Sequence, residues 1–391
     1  MDSLLAPSIE PRTAVVVATT VVATISLLSL ARLGLYLRLG SAIPNPLKTK
    51  IPAMPADELQ RLHYRPDSFP GARDVDTPYG TIRVYEWGPV AGPKVVLVHG
   101  ISTSCMTLGR IAHALAARGC RVMLFDLFGR GFSDGVGDLP HDARLYTTQI
   151  LLALASSPLA WSGTDGIRVI GYSLGGAVAA SFAAAFPHMV ESLVLLAPAG
   201  LIRAANFGAA ARITFQSGLV PERILAAITK KRLQHPLAAK RTNIEEDDPA
   251  DKFVDVAVAE VSSPTGDEVG VEHKVREYLP WMVEHHGGFV PSFMSCVRYA
   301  PLTDQHETWR ALGRRKKGTT AVLIGRSDEV IYGDHYAADG LPLLGGKENV
   351  LWKVLPGGHD FVMTQVEHIM RELDAFWGMK IQSQRDKHAK A

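Results

Sequence analysis

The chain has 391 residues, 47% of them apolar and 20% charged, with a formal net charge of +2. That length holds one large α/β domain with an insertion, or two smaller domains, around a sizeable buried core. Near-neutral charge without a long basic block excludes binding through a global positive field, so no nucleic acid is expected as a partner. Cys105, Cys120 and Cys296 are too few and too scattered for a disulfide framework or a metal site. Read as small buried hydrophobes, they fit a reducing compartment.

Residues 1–12 are polar, and residues 13–31 (TAVVVATTVVATISLLSLA) carry no charge. That run approaches the roughly 20 residues that cross a bilayer as a helix. A secretory signal would want a basic start and a small-residue cleavage site, whereas Ala31-Arg32 is a poor one. A buried core helix is the other alternative, although it would precede the first strand of the domain with no polar face. A single-pass membrane anchor is therefore the leading reading. Arg12 is the only basic side chain before the run, while Arg32, Arg38, Lys48 and Lys50 follow it. The positive-inside rule then puts the carboxyl-terminal side in the cytosol, with the endoplasmic reticulum favoured over a mitochondrial address.

Residues 32–72, with prolines at 44, 46, 52, 55, 66 and 70, read as a linker between the membrane and the folded domain. The core is expected in two parts, residues 73–200 and 301–378. Arg73–Asp76, a turn at Thr77–Gly80 and Thr81–Trp87 form a hairpin. Lys94–Val98 then reads as a strand buried on both faces. Met106–Arg118 (helix), Cys120–Phe125 (strand), Arg144–Ser156 (helix), Ile167–Gly171 (strand), Leu174–Phe186 (helix) and Ser192–Ala197 (strand) follow. That alternation predicts a mostly parallel, doubly wound sheet. The rhythm stops near Gly200. Residues 201–300 are mostly helical by pattern and form an insertion at the ligand edge, expected as a lid. It resumes with helix Leu302–Leu312, strands Thr319–Ile324 and Asn349–Leu355, and helix Phe361–Trp377; the tail, 379–391, is expected to fray.

Gly171-Tyr172-Ser173-Leu174-Gly175 sits where a strand gives way to a helix, the setting of a nucleophile elbow. A serine held clear at so tight a turn needs very small neighbours two residues away on each side. A hydroxyl is a weak nucleophile and needs a base, which in turn needs an orienting partner. Both should follow later strands at the same sheet edge. After Thr319–Ile324 comes Gly325-Arg326-Ser327-Asp328, and after Asn349–Leu355 comes Pro356-Gly357-Gly358-His359. His359 is the expected general base and acid, and Asp328 its orienter, with Glu329 and Asp334 as nearby alternatives. The oxyanion donors are expected to be the backbone N–H groups of Leu174 and of Ile101, in the loop His99-Gly100-Ile101-Ser102.

From about Tyr79 to Trp377 the chain resembles the α/β-hydrolase fold superfamily. The resemblance rests on His99-Gly100 after the third strand and on Asp126-Leu127-Phe128-Gly129-Arg130-Gly131-Phe132-Ser133 after the fourth. Gly171-x-Ser173-x-Gly175, Gly325-x-x-Asp328-x-Val330 and Gly358-His359 complete it. It implies a serine triad on an α/β-hydrolase fold. Serine at the nucleophile position disfavours the epoxide hydrolases and haloalkane dehalogenases, which carry aspartate there. A single glycine before Ile101 departs from the HGGG lipases and esterases. Monoacylglycerol-lipase-like members and the carbon–carbon bond hydrolases of aromatic degradation are both similar.

Several residues have bland readings beside the functional ones. Asp126 and Arg130 are expected to stabilise a loop by salt bridge or turn hydrogen bonds, and His99 to pack beneath the site. His359 as a helix cap is the plain alternative, though Gly357-Gly358 suits a flexible catalytic loop. Glu284-His285-His286 lacks a third ligand and reads as a surface helix. Trp281, Phe289, Phe293 and Met294 fit an acyl pocket and core packing equally well.

The expected function is membrane-anchored hydrolysis of an apolar carboxylic ester through an acyl-enzyme, with no cofactor and no metal. The alternative within enzymes is a hydrolase or cyclase of a polyketide-like or aromatic metabolite. The alternative from another class is a non-catalytic ligand-binding member of the fold. Oligomeric state is left open.

Overall fold

A computed structural model of the chain describes residues 11–38, 42–163, 166–203, 220–234 and 271–379. The expected polar start before residue 11, the frayed tail beyond 379 and two stretches of the expected lid, 204–219 and 235–270, lie outside the described residues.

Helix α1 (Pro11–Arg38) contains the uncharged run, and its segment Arg12–Leu33 is long and apolar enough to cross a membrane. Its side chains from Arg12 to Leu33 are all exposed. The Thr19 and Thr20 hydroxyls donate to the carbonyls of Val15 and Val16 at 2.8 Å, so these polar groups are satisfied within the helix itself.

Residues from Ala42 onward depart from the expected linker. Strand β1 (Ala42–Ile43) pairs antiparallel with Gly135–Val136. Asn45 caps helix α2 (Pro46–Thr49) by accepting from Leu47 N, and Pro46 stands in the first turn, where its missing N–H costs nothing. Helix α3 (Ala56–Arg61) follows, then Tyr64 and Phe69, both buried. The prolines here shape and start short helices against the domain. Asp134 is the fastening point: it accepts from Asn45 N at 2.9 Å, Asn45 Nδ2 at 2.7 Å, Thr81 N at 2.8 Å and Lys48 Nζ at 2.7 Å. Lys48 and these hydrogen bonds hold the Asp134 carboxyl below its usual range despite partial burial. Asp134→Ala is expected to strand several buried donors together and to cost about 3 kcal/mol. A urea or thermal unfolding series against wild type measures it.

The main sheet has eight strands: β2 (Arg73–Thr77), β3 (Gly80–Trp87), β4 (Lys94–Val98), β5 (Arg121–Phe125), β7 (Ile167–Tyr172), β8 (Val190–Leu196), β9 (Thr320–Gly325) and β10 (Leu351–Leu355). Strand β6 (Gly135–Val136) belongs to the small ribbon with β1. The order across the main sheet is β10-β9-β8-β7-β4-β5-β3-β2. Only β3 runs against the rest, paired antiparallel to β2 and β5. Val95–Val98, Val122–Phe125 and Leu193–Leu196 are wholly buried, as expected for strands covered on both faces. Helices α4 (Gly109–Ala117), α5 (Ala143–Ala155) and α6 (Leu174–Ala185) alternate with these strands. The expected insertion contributes α7 (Glu222–Gln234), α8 (Val271–His285) and α9 (Phe289–Tyr299). The second part of the core adds α10 (His306–Gly313), α11 (Gly333–Leu343), α12 (Phe361–Thr364) and α13 (Val366–Trp377). α4 packs with α13, while α6 packs with α5 and α10, as a doubly wound sheet requires.

Three details differ from expectation. The helix expected from Leu302 begins at His306, because Leu302 and Gln305 instead bond Gly200 through the backbone. The last helix is broken at Gln365, which separates α12 from α13. Helix α11 was not anticipated; it fills the crossover between β9 and β10.

Candidate active site

Ser173 stands between β7 and α6 with φ 54° and ψ −121°, a left-handed conformation that a residue with a Cβ adopts at a cost. Small neighbours make the turn possible. A Cβ on Gly171 would lie 2.2 Å from the Gly175 carbonyl, and one on Gly175 would lie 2.2 Å from the Val98 carbonyl. The turn is fastened on both sides: Ser173 N donates to Leu196 O at 3.0 Å, and Ala199 N to Ser173 O at 2.9 Å.

The structure brings the three expected side chains together. His359 Nε2 lies 3.1 Å from Ser173 Oγ, and His359 Nδ1 lies 2.9 Å from Asp328 Oδ2. With Nδ1–H donating to the carboxylate, Nε2 is left to accept from the serine hydroxyl. Asp328 is itself oriented, since its Oδ1 accepts from Val330 N at 2.9 Å and Ile331 N at 2.7 Å. Glu329 and Asp334 are exposed, and the imidazole takes Asp328. Ser173, Asp328 and His359 are all buried.

The His359 loop is tied down, contrary to the flexible loop expected from its glycines. Arg326 N donates to Leu355 O and Ser327 N to Gly357 O, at 2.7 and 3.0 Å. A Cβ on Gly325 would meet the Gly358 carbonyl at 2.4 Å, so small residues here allow the acid and base loops to touch. Sequence reasoning missed Tyr172, whose hydroxyl donates to the His359 carbonyl at 3.0 Å and whose ring lies 5.2 Å from the imidazole. Its place beside the nucleophile was the available signal.

Leu174 opens α6, where the first N–H groups have no acceptor within the helix. Ile101 lies in the loop after β4, and β4 pairs with β7 so that Val98 stands opposite Gly171. Leu174 therefore follows the nucleophile directly, and Ile101 lies three residues beyond the strand position opposite Gly171. Behind Ile101, His99 Nε2 accepts from Leu127 N at 2.9 Å, and its Nδ1–H donates to Gly100 O at 2.9 Å.

Asp126 and Arg130 hold loops through hydrogen bonds and are not paired with each other. Asp126 accepts from Cys105 N, Phe132 N and Tyr64 OH, while the Arg130 guanidinium donates to Ile101 O and Phe128 O. The Glu284 carboxylate accepts from Lys230 and Gln234, whereas His286 is buried and donates to Ser133 O, so the triplet does not converge. Among the described residues no cluster fit for a metal ion is found. Phe289, Phe293 and Met294 are buried, Trp281 is half-buried, and the three cysteines are buried and free.

Burial, helped by the positive charge of Arg130, lowers His99 and His141 to about 3 and His286 to about 4. Each binds a proton more weakly folded than unfolded, so its stabilising effect is full above the unfolded value of about 6.5 and is lost as pH falls below it. The melting temperature is expected to drop between pH 7 and pH 4. Neither ring nitrogen of His141 has a hydrogen-bond partner among the described residues, so His141→Leu should make that drop shallower. An unchanged slope would count against this account.

A family model described as serine aminopeptidase, S33 matches residues 91–257. A serine hydrolase-like protein of Dictyostelium discoideum is 23% identical over 325 residues, covering 79% of this chain and 83% of that protein. The chain spans only 32% of the length of one relative in Mycobacterium bovis and one in Mycobacterium tuberculosis, and 42% of the lipase LipV of the latter. Among solved structures, a membrane phospholipase A superimposes with a TM-score of 0.55 at 18% identity, over 92% of this chain and 99% of that one. An esterase from Rhodococcus sp. ECU1013 gives 0.54 at 18% identity, over 79% and 100%. Likeness at this identity is one of fold, and it agrees with the sheet order and with the strained serine between β7 and α6: the chain has the α/β-hydrolase fold.

Proposed function

We propose that the protein is a membrane-anchored serine hydrolase that cleaves a carboxylic ester, of a lipid or another apolar molecule, through an acyl-enzyme. The observation that carries this reading is the continuous hydrogen-bond line from Ser173 Oγ through His359 to Asp328. Ser173 Oγ attacks the ester carbonyl carbon while His359 Nε2 takes its proton, and Asp328 stabilises the imidazolium. The carbonyl π pair moves onto oxygen, where the Leu174 and Ile101 N–H groups receive the charge. Collapse breaks the carbon–oxygen bond to the alcohol, which leaves with the proton from His359. Water then repeats the sequence on the acyl-enzyme and frees the acid and Ser173. These steps use only side chains and backbone of this chain.

Helix α1 supports the anchoring, the positive-inside count favours a cytosolic enzyme, and α7 to α9 belong to the insertion read as its lid. An anchored site meets substrates dissolved in the bilayer, which favours apolar esters. The test is fluorophosphonate labelling of Ser173 together with a panel of monoacylglycerols and short p-nitrophenyl esters. Labelling with turnover supports the ester reading. Labelling without turnover of any ester moves the assignment to the specialised-metabolite alternative, and folded protein that does not label supports the non-catalytic one.

A further inference from the structure

Arg130 is a wholly buried cation whose partners among the described residues include carbonyls, a thiol, the Tyr146 hydroxyl and an aromatic face. Its Nε donates to Ile101 O at 2.8 Å and its Nη1 to Phe128 O at 3.2 Å. The remaining Nη2 reaches Cys296 Sγ at 3.5 Å, and the guanidinium carbon lies 5.6 Å from the centre of the Phe289 ring. Cys296 and Phe289 both belong to α9. Cys296 Sγ in turn lies 3.0 Å from the hydroxyl of Tyr146 on α5, so the arginine sits where insertion, core helix and oxyanion loop meet.

The peptide that carries the Ile101 N–H is fixed from both sides. Its own carbonyl, that of Gly100, accepts from His99 Nδ1–H at 2.9 Å, and the next carbonyl, that of Ile101, accepts from Arg130. Two successive peptide planes are thereby pinned, which sets the direction of the N–H between them. A planar guanidinium presents its donors in a fixed fork, so it can serve both carbonyls and the thiol in one geometry, which a lysine ammonium cannot.

We propose that Arg130 is a positioning residue that couples the seating of helix α9 to the aim of the Ile101 N–H at the oxyanion. It touches no substrate atom. Cys296 and Phe289 of the docked α9 hold the guanidinium against Ile101 O, and without them the donor peptide loses one of its two braces. This rests on the reading that Ser173 attacks a carbonyl whose oxygen meets Ile101.

The test uses the full-length protein with Arg130→Met, Arg130→Lys and Cys296→Val, each checked for folding by circular dichroism. Rates on a p-nitrophenyl ester are counted per fluorophosphonate-titrated site, and the affinity for a matching trifluoromethyl ketone, which forms a tetrahedral adduct, is measured beside them. Misaiming a donor should lower kcat about 10- to 100-fold in Arg130→Met while KM stays within about twofold, with the ketone weakened by the same factor as kcat/KM. Arg130→Lys should recover part of that loss, and Cys296→Val should show a smaller loss of the same kind. Wild-type kcat per titrated site in folded Arg130→Met, or a fall in kcat with unchanged ketone affinity, overturns the proposal. If Arg130→Met does not fold, Arg130→Lys and Cys296→Val decide by the same two criteria. A wild type that neither labels nor turns over any ester overturns the proposal together with the reading beneath it, whereas an active wild type with insensitive variants overturns the proposal alone.

Discussion

Ser173→Ala is expected to cut ester turnover by about a millionfold and to abolish fluorophosphonate labelling, with little change in substrate affinity. The methyl group removes the atom that forms the acyl-enzyme but leaves the pocket in place. His359 keeps its contact with Asp328 at 2.9 Å, and the proposed oxyanion donors, being backbone groups, are left in place. A residual rate of about a thousandfold over water is therefore expected from binding and oxyanion stabilisation. Active-site titration beside single-turnover kinetics measures both quantities. The backbone should hold as well: alanine faces the same left-handed φ of 54° that serine tolerates, so the melting temperature should move little. Loss of folding with loss of activity would remove the case for a specifically chemical role.

Asp328→Asn should lower kcat by about 10⁴-fold, while Glu329→Gln leaves it near wild type. An amide can accept Val330 N and Ile331 N as the carboxylate Oδ1 does, so the loop should keep its shape. It carries no charge to stabilise the imidazolium. An amide NH₂ turned toward Nδ1 would also favour the tautomer with its proton on Nε2, where it cannot take the serine proton. The comparison separates an electrostatic partner from a neighbour: Glu329 is next in the chain but exposed, and Asp328 alone of the two meets the imidazole. Equal losses in both variants would count against the assignment of Asp328.

Much of the site was legible because its chemistry forces local sequence. A serine with φ 54° needs Gly171 and Gly175 where a Cβ would strike a carbonyl, and that need prints a pattern within five residues. The strands were legible for a similar reason, since Val95–Val98 and Leu193–Leu196 must be apolar throughout when both faces are covered. Residues 42–72 were misread because their partners are remote. Asn45 finds Asp134 and Tyr64 finds Asp126, contacts 89 and 62 residues apart that no local window contains. Proline content suggests a linker, whereas Pro46 starts a capped helix. The partners of Tyr172 and Arg130 are hidden for a related reason: each bonds a backbone carbonyl of another loop, which the sequence does not identify.

The strap from Ala42 to Phe69 also governs where the chain can be shortened. Tyr64 OH donates to Asp126 at 2.8 Å and accepts from Tyr85 OH at 2.9 Å, and the Phe69 ring stacks on Trp87 with centroids 5.8 Å apart. Starting the protein at Arg73, where the sheet begins, would open this polar network to solvent beneath the loop that follows β5. It would also take Asn45 and Lys48 from Asp134. A version freed of α1 therefore has to keep everything from Ala42 onward, because a cut even a few dozen residues later leaves an unstitched core.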